Sequence, residues 1–190
     1  IQGPNECGPT TLTNVLAYYG INGVNQHTMF PSSTFGHEPV ELIEVAQSYG
    51  MTVRQENYGS LDDLARTIDT GNFPLVLGIN GGGENIFADG DINNLISNAS
   101  RGHWMAVTGY ARDSYGRITD VYVQDPNYAQ SRRMSASDFL TFWNNNLIPG
   151  GHRYFMAMAP AGSYQQAALL AQLPSDQIDS GFAITLDIAH

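Results

Sequence analysis

Gln2-Gly3-Pro4-Asn5-Glu6-Cys7-Gly8-Pro9-Thr10-Thr11-Leu12 lies at the start of the chain and contains its only cysteine. Beyond it, Leu12, Val15, Leu16 and Tyr19 recur at helical spacing until Gly20. Pro9 falls in the first turn, where its missing N–H does no harm. The pattern predicts a helix from about Glu6 to Tyr19, with Cys7 at its N-terminus. A thiol in that position meets unpaired backbone N–H groups and the positive end of the helix dipole, and both favour thiolate. Thiolate is the form that attacks a carbonyl carbon, so Cys7 is placed as a nucleophile.

Working outward, Val40, Ile43 and Ala46 predict a second helix from Pro39 to Tyr49, stopped by Gly50. The segment between the two helices, Asn22 to Pro39, is polar and reads as loop. Met51 to Val53 is a short strand. Ser60 is an N-cap for a third helix carrying Leu61, Leu64, Ala65 and Ile68 on one face and ending at Gly71. Phe73 to Ile79 is an apolar run that reads as a buried strand. Gly81 to Gly90 is a loop, and Asp91 to Asn98 a short helix. His103 to Tyr110 and Ile118 to Gln124 then alternate like paired strands joined through Asp113-Ser114-Tyr115-Gly116, an antiparallel hairpin. Ser137 to Asn144 suggests a helix and Arg153 to Ala159 a strand. With helices concentrated early and antiparallel strands late, the class is α+β. One domain spans 1–190, with residues 161–190 as a C-terminal extension: a helix at Tyr164 to Leu173 and a strand at Phe182 to Ile188.

Bulk properties narrow the function. A chain of 190 residues with 42% hydrophobic and 11% aromatic residues buries a real core and is not a disordered segment. The net charge is −10, with no run of lysine or arginine, which argues against nucleic acid or an anionic membrane surface as a direct partner. No apolar run approaches the roughly 20 residues needed to cross a bilayer. The start at Ile1 is not a signal peptide and suggests a processed chain or a piece of a longer one. A lone cysteine makes no internal disulfide, so a reducing compartment suits the chain. Cys7, His27, His37, His103 and His152 show no metal-ligand spacing, and no cofactor is implied.

Cysteine acyl transfer needs a thiolate, a histidine to exchange the proton, a group that orients the imidazole, and an oxyanion hole. His103 opens one hairpin strand, and Asp125 follows the end of the other, so antiparallel pairing brings carboxylate and imidazole together. Gln2, five residues before Cys7, can aim its side-chain N–H at the oxyanion beside the Cys7 backbone N–H. Gly8, Gly102 and Trp104 flank these groups and are expected at the substrate cleft, where Trp104 packs under the site or else forms a cleft wall. Gly81-Gly82-Gly83 lacks the lysine and the spacing of a phosphate loop.

Taken together, Gln2…Glu6-Cys7-Gly8-Pro9, Gly102-His103-Trp104 and Asp125-Pro126 resemble the papain-like cysteine peptidases. More narrowly, they resemble the double-glycine leader peptidases found on bacteriocin exporters, and their free-standing relatives. The resemblance covers about residues 2 to 160, with the three motifs in the family's chain order. It implies Cys7 as nucleophile, His103 as base, Asp125 as orienter and Gln2 as oxyanion donor. The interval from Gln2 to Cys7 is five, where papain-like enzymes generally use six. It also implies a protein or peptide substrate cut after small residues or double glycine, and a papain-like fold with a helical first half packed on an antiparallel sheet. Acting in cytoplasm, or secreted or delivered into a target cell, such a domain fits a bacterial toxin or effector held off by an immunity or inhibitor protein, and equally a housekeeping maturation enzyme. Two other readings keep the cleft: a glutamine deamidase, amidase or transglutaminase-like transferase with the same three residues, and an inactive peptide-binding module.

Overall fold

The computed structural model describes residues 6–30, 37–79, 102–128, 130–144 and 152–172. The sequence expectations for Gln2, for Gly81 to Asn98 and for Phe182 to Ile188 lie outside these residues. Helix α1 (Cys7–Tyr18) is followed by a short α2 (Gln26–Met29) and by α3 (Pro39–Ser48). Strand β1 (Met51–Glu56), α4 (Leu61–Asp69) and β2 (Leu75–Ile79) complete the first half. Then come β3 (Gly102–Arg112), β4 (Ile118–Gln124), β5 (Arg132–Ser135), α5 (Ala136–Asn144), β6 (Phe155–Pro160) and α6 (Tyr164–Leu170).

Local chemistry sets most of these ends. Gly20 takes φ +81 just past α1, a left-handed conformation that a side chain would penalise. Ser60 and Asp63 form a capping box at α4: the Ser60 hydroxyl accepts from the Asp63 N–H, and the Asp63 carboxylate accepts from the Ser60 N–H at 2.7 Å. Helix α2 falls in the stretch read as loop. Its signal is Asn25, whose side chain accepts the His27 N–H at 2.8 Å and caps a helix of a single turn. Strand β5 also escapes the pattern, because of its four residues only Met134 is buried.

The strands form one antiparallel sheet in the order β1-β6-β2-β3-β4-β5. Alternation along each strand divides its residues between two cores. Leu75, Leu77, Trp104, Ala106, Met156 and Met158 pack against Leu12, Val15 and Leu16 of α1 and Leu42 and Ala46 of α3. Val76, Met105, Val107, Phe155, Ala157 and Ala159 pack instead with Leu64 of α4, Phe139, Phe142 and Trp143 of α5 and Leu169 of α6. The α+β class therefore holds, with helices from both halves of the chain covering the sheet and β1 and β2 joining it from the first half. Because every neighbouring pair is antiparallel, the start of β3 and the end of β4 share one sheet edge. That edge carries His103 and Asp125.

Candidate active site

Cys7 is the first residue of α1, as the position of Pro9 and the apolar spacing required. It is buried, with 7% of its surface exposed, and so are His103 at 5% and Asp125 at 1%. His103 is the second residue of β3 and lies opposite Gly78 of β2. A Cβ on Gly78 would sit 2.5 Å from both the ring and the carbonyl oxygen of Phe142, so only glycine lets α5 approach the strand next to His103.

The His103–Asp125 pair forms in a different way from simple cross-strand pairing. The ladder sets Ala106 opposite Gln124 and Val107 opposite Val123. Continued without change, that register would bring residue 125 level with Met105, two residues from His103. The chain instead leaves the ladder at Asp125, because Pro126 has no N–H to continue it. The Asp125 carboxylate then reaches the His103 ring, with Oδ1 accepting from Nε2 at 3.1 Å. The same oxygen accepts the Asn127 N–H at 2.9 Å, and the Asp125 carbonyl accepts the Tyr128 N–H at 2.9 Å. Gln124 closes this turn by donating its side-chain N–H to the Tyr128 carbonyl at 3.0 Å. Asn127 and Gln124 thus join the candidate site through the turn, a part that sequence reasoning missed. Asp125-Pro126-Asn127 is a recognisable Asx-turn pattern and could have revealed the first.

With Nε2 held by Asp125, the other ring nitrogen of His103 remains for Cys7, and the two groups shift each other's protonation. Burial alone pushes the Cys7 thiol up. The hydrogen bond and positive charge of His103, together with backbone N–H groups of Trp104 and Gly8, outweigh burial and bring it below the ordinary thiol range. Burial likewise pushes His103 down. The Asp125 carboxylate and the Cys7 sulfur outweigh that and raise the imidazole to about 10. Both shifts favour the same state, a thiolate beside an imidazolium. A buried pair of this kind is held because each charge faces its complement across a hydrogen bond.

Gly8 and Trp104, expected at the cleft, are both buried and pack against each other. Gly102, at the open end of β3, is half-buried. His27 pairs with Glu6 at 2.9 Å on the outer side of α1, and His37 and His152 lie in other surroundings; none of them joins Cys7.

Residues 1–147 match the Peptidase_C39 like family. The chain belongs to that family. Solved structures share the C39-like fold at low identity. One is a C39-like peptidase from Bacillus anthracis, 15% identical with a TM-score of 0.58 over 84% of this chain and 90% of that one. Another is the peptidase domain of Streptococcus ComA, a bi-functional ABC transporter in a quorum-sensing pathway, 16% identical with a TM-score of 0.55 over 84% and 95%. A third is a double-glycine-motif protease from an AMS/PCAT transporter, solved with its leader peptide, 16% identical with a TM-score of 0.50 over 85% and 89%. No curated protein matches. Membership of the C39-like family supports a cysteine peptidase, and at these identities the structural likeness is one of fold. Among the described residues, no helix is long and apolar enough to cross a membrane.

Proposed function

We propose that the protein is a cysteine peptidase in which Cys7, His103 and Asp125 act together on a peptide bond. The observation that carries this reading is the buried His103–Asp125 pair at 3.1 Å, with Cys7 buried at the head of α1 and its thiol lowered by His103. In the first half-reaction the Cys7 thiolate attacks the carbonyl carbon, and the tetrahedral oxyanion collapses as the C–N bond breaks. His103, as imidazolium, gives its proton to the departing amine and becomes neutral. In the second, neutral His103 takes a proton from water, the hydroxide attacks the thioester, and the acid leaves with the thiolate restored. Asp125 holds the ring in the orientation and tautomer that both steps require. The Cys7 backbone N–H, at the head of α1, is a donor for the oxyanion. Gln2 is our proposed second donor.

Family membership supports a peptide substrate, and the leader peptide bound by the AMS/PCAT relative directs the proposal to a segment with small or double-glycine residues at the cut. The thiolate needs a reducing setting, which the cytoplasm of the producing cell or of a target cell supplies. An effector held off by an immunity protein fits that setting and is the wider frame of the proposal.

The test is incubation of wild type and Cys7→Ala with synthetic leader-like peptides carrying a central Gly-Gly, read by intact mass. Two fragments whose masses sum to the peptide plus water, absent with Cys7→Ala, are the expected result. A gain of about one mass unit without fragments would assign amide hydrolysis on a side chain instead. Stoichiometric binding with no mass change in either protein would leave a binding module.

A further inference from the structure

Among the residues around the candidate site, Trp104 has contacts that catalysis by itself does not explain. It follows His103 directly and is only 2% exposed. Its backbone amide is among the groups that hold the Cys7 thiol below the ordinary range, and its carbonyl accepts the Thr11 hydroxyl at 3.2 Å, one turn further along α1. Between those two points the indole lies under Gly8. A Cβ on Gly8 would come within 3.1 Å of Trp104 Cδ1 and within 3.2 and 3.3 Å of the two methyls of Leu42. The indole is itself fixed from behind. Its Nε1–H donates to the His37 carbonyl at 3.2 Å, and its ring meets Tyr154 edge-on at 6.0 Å. One side chain, braced against two other segments, thus supports the first turn of the helix that carries the nucleophile, while its own backbone carries the base.

We propose that Trp104 is a positioning residue whose indole, in contact with Gly8, fixes the height of α1 above β3 and so the separation of the Cys7 sulfur from the His103 ring. The inference rests on the peptidase reading of that pair. Its physical content is that the thiolate–imidazolium contact depends on a gap set by packing beneath it. A thinner support lets the helix end settle, and a bulkier residue 8 lifts it. Either change moves the sulfur away from the His103 ring.

The test uses the full chain and the rate of Cys7 alkylation by chloroacetamide as a function of pH, which reports thiolate directly and needs no substrate. Wild type should alkylate with an inflection well below that of an ordinary thiol. In Trp104→Phe, which keeps a buried ring but loses the indole N–H, the inflection should rise by about one unit. That lowers the rate below the inflection about tenfold. Gly8→Ala approaches the same contact from the other side and should shift the profile in the same direction. Leu42→Val added to Gly8→Ala should restore part of the loss by giving the new methyl room. If Trp104→Phe is destabilised, the Gly8→Ala pair carries the test alone. Wild-type profiles in both single variants, with only their melting temperatures lowered, would overturn the spacer role. An ordinary thiol inflection in wild type would instead defeat the peptidase reading itself.

Discussion

Cys7 and His103 make opposite demands on pH, and the signs follow from their shifts. His103 keeps its proton to about 10 when folded, against roughly 6.5 unfolded, so its contribution to stability is complete below pH 6.5 and is lost as pH rises through 10. Cys7 is lowered when folded, so its contribution is present above the ordinary thiol value and is lost as pH falls through the folded one. Peptidase activity should therefore show a bell with its alkaline limb near pH 10, where the imidazolium that protonates the leaving amine disappears. Asp125→Asn removes the charge that holds the proton on His103, so that limb should move to lower pH. Loss of one partner from this buried pair should also cost about 3–5 kcal/mol of stability, measurable by urea unfolding. A limb unchanged in Asp125→Asn would show that the carboxylate does not control the imidazole.

The elements themselves give predictions that do not involve catalysis. Gly20 has φ +81, and a Cβ there would meet nothing within 4 Å, so Gly20→Ala tests backbone conformation alone. About 1 kcal/mol should be lost, seen as a lower melting temperature with the alkylation profile of Cys7 intact. Gly78 poses the opposite problem: its added methyl meets the Phe142 ring and carbonyl oxygen at 2.5 Å. Gly78→Ala should cost roughly 1–3 kcal/mol or more by overpacking, and it should slow Cys7 alkylation because Gly78 is the register partner of His103. Ser60→Ala removes the α4 cap and should cost about 1 kcal/mol, away from the site. In α1, α3 and α4 the sequence signals were local and readable: Pro in the first turn, a Gly stop, a Ser cap. In α2 and β5 they were too few to register, since one turn and one buried methionine carry little periodicity.

At the scale of the molecule, a six-stranded sheet covered on both faces makes the site a product of two cores. The core under α1 places Cys7, and the core under α5 holds the strand end that carries His103. Phe142→Ala in the second core should cost about 3–5 kcal/mol, and its cavity beside Gly78 should lower Cys7 reactivity as well. Tyr115→Ala, in the exposed hairpin turn at the opposite edge, should change neither. By itself the sequence determined the α+β class, the helix headed by Cys7 and the hairpin linking His103 to Asp125, because each depends on periodicity and punctuation within a few residues. Only the tertiary structure decided that the hairpin ladder ends at Ala106–Gln124, in a register two residues off a His103–Asp125 pairing, and that the Asx-turn brings Asp125 back to His103. It also decided that Gly8 packs against Trp104, because contacts between residues about a hundred positions apart are set by how two layers pack, and no local pattern encodes that distance.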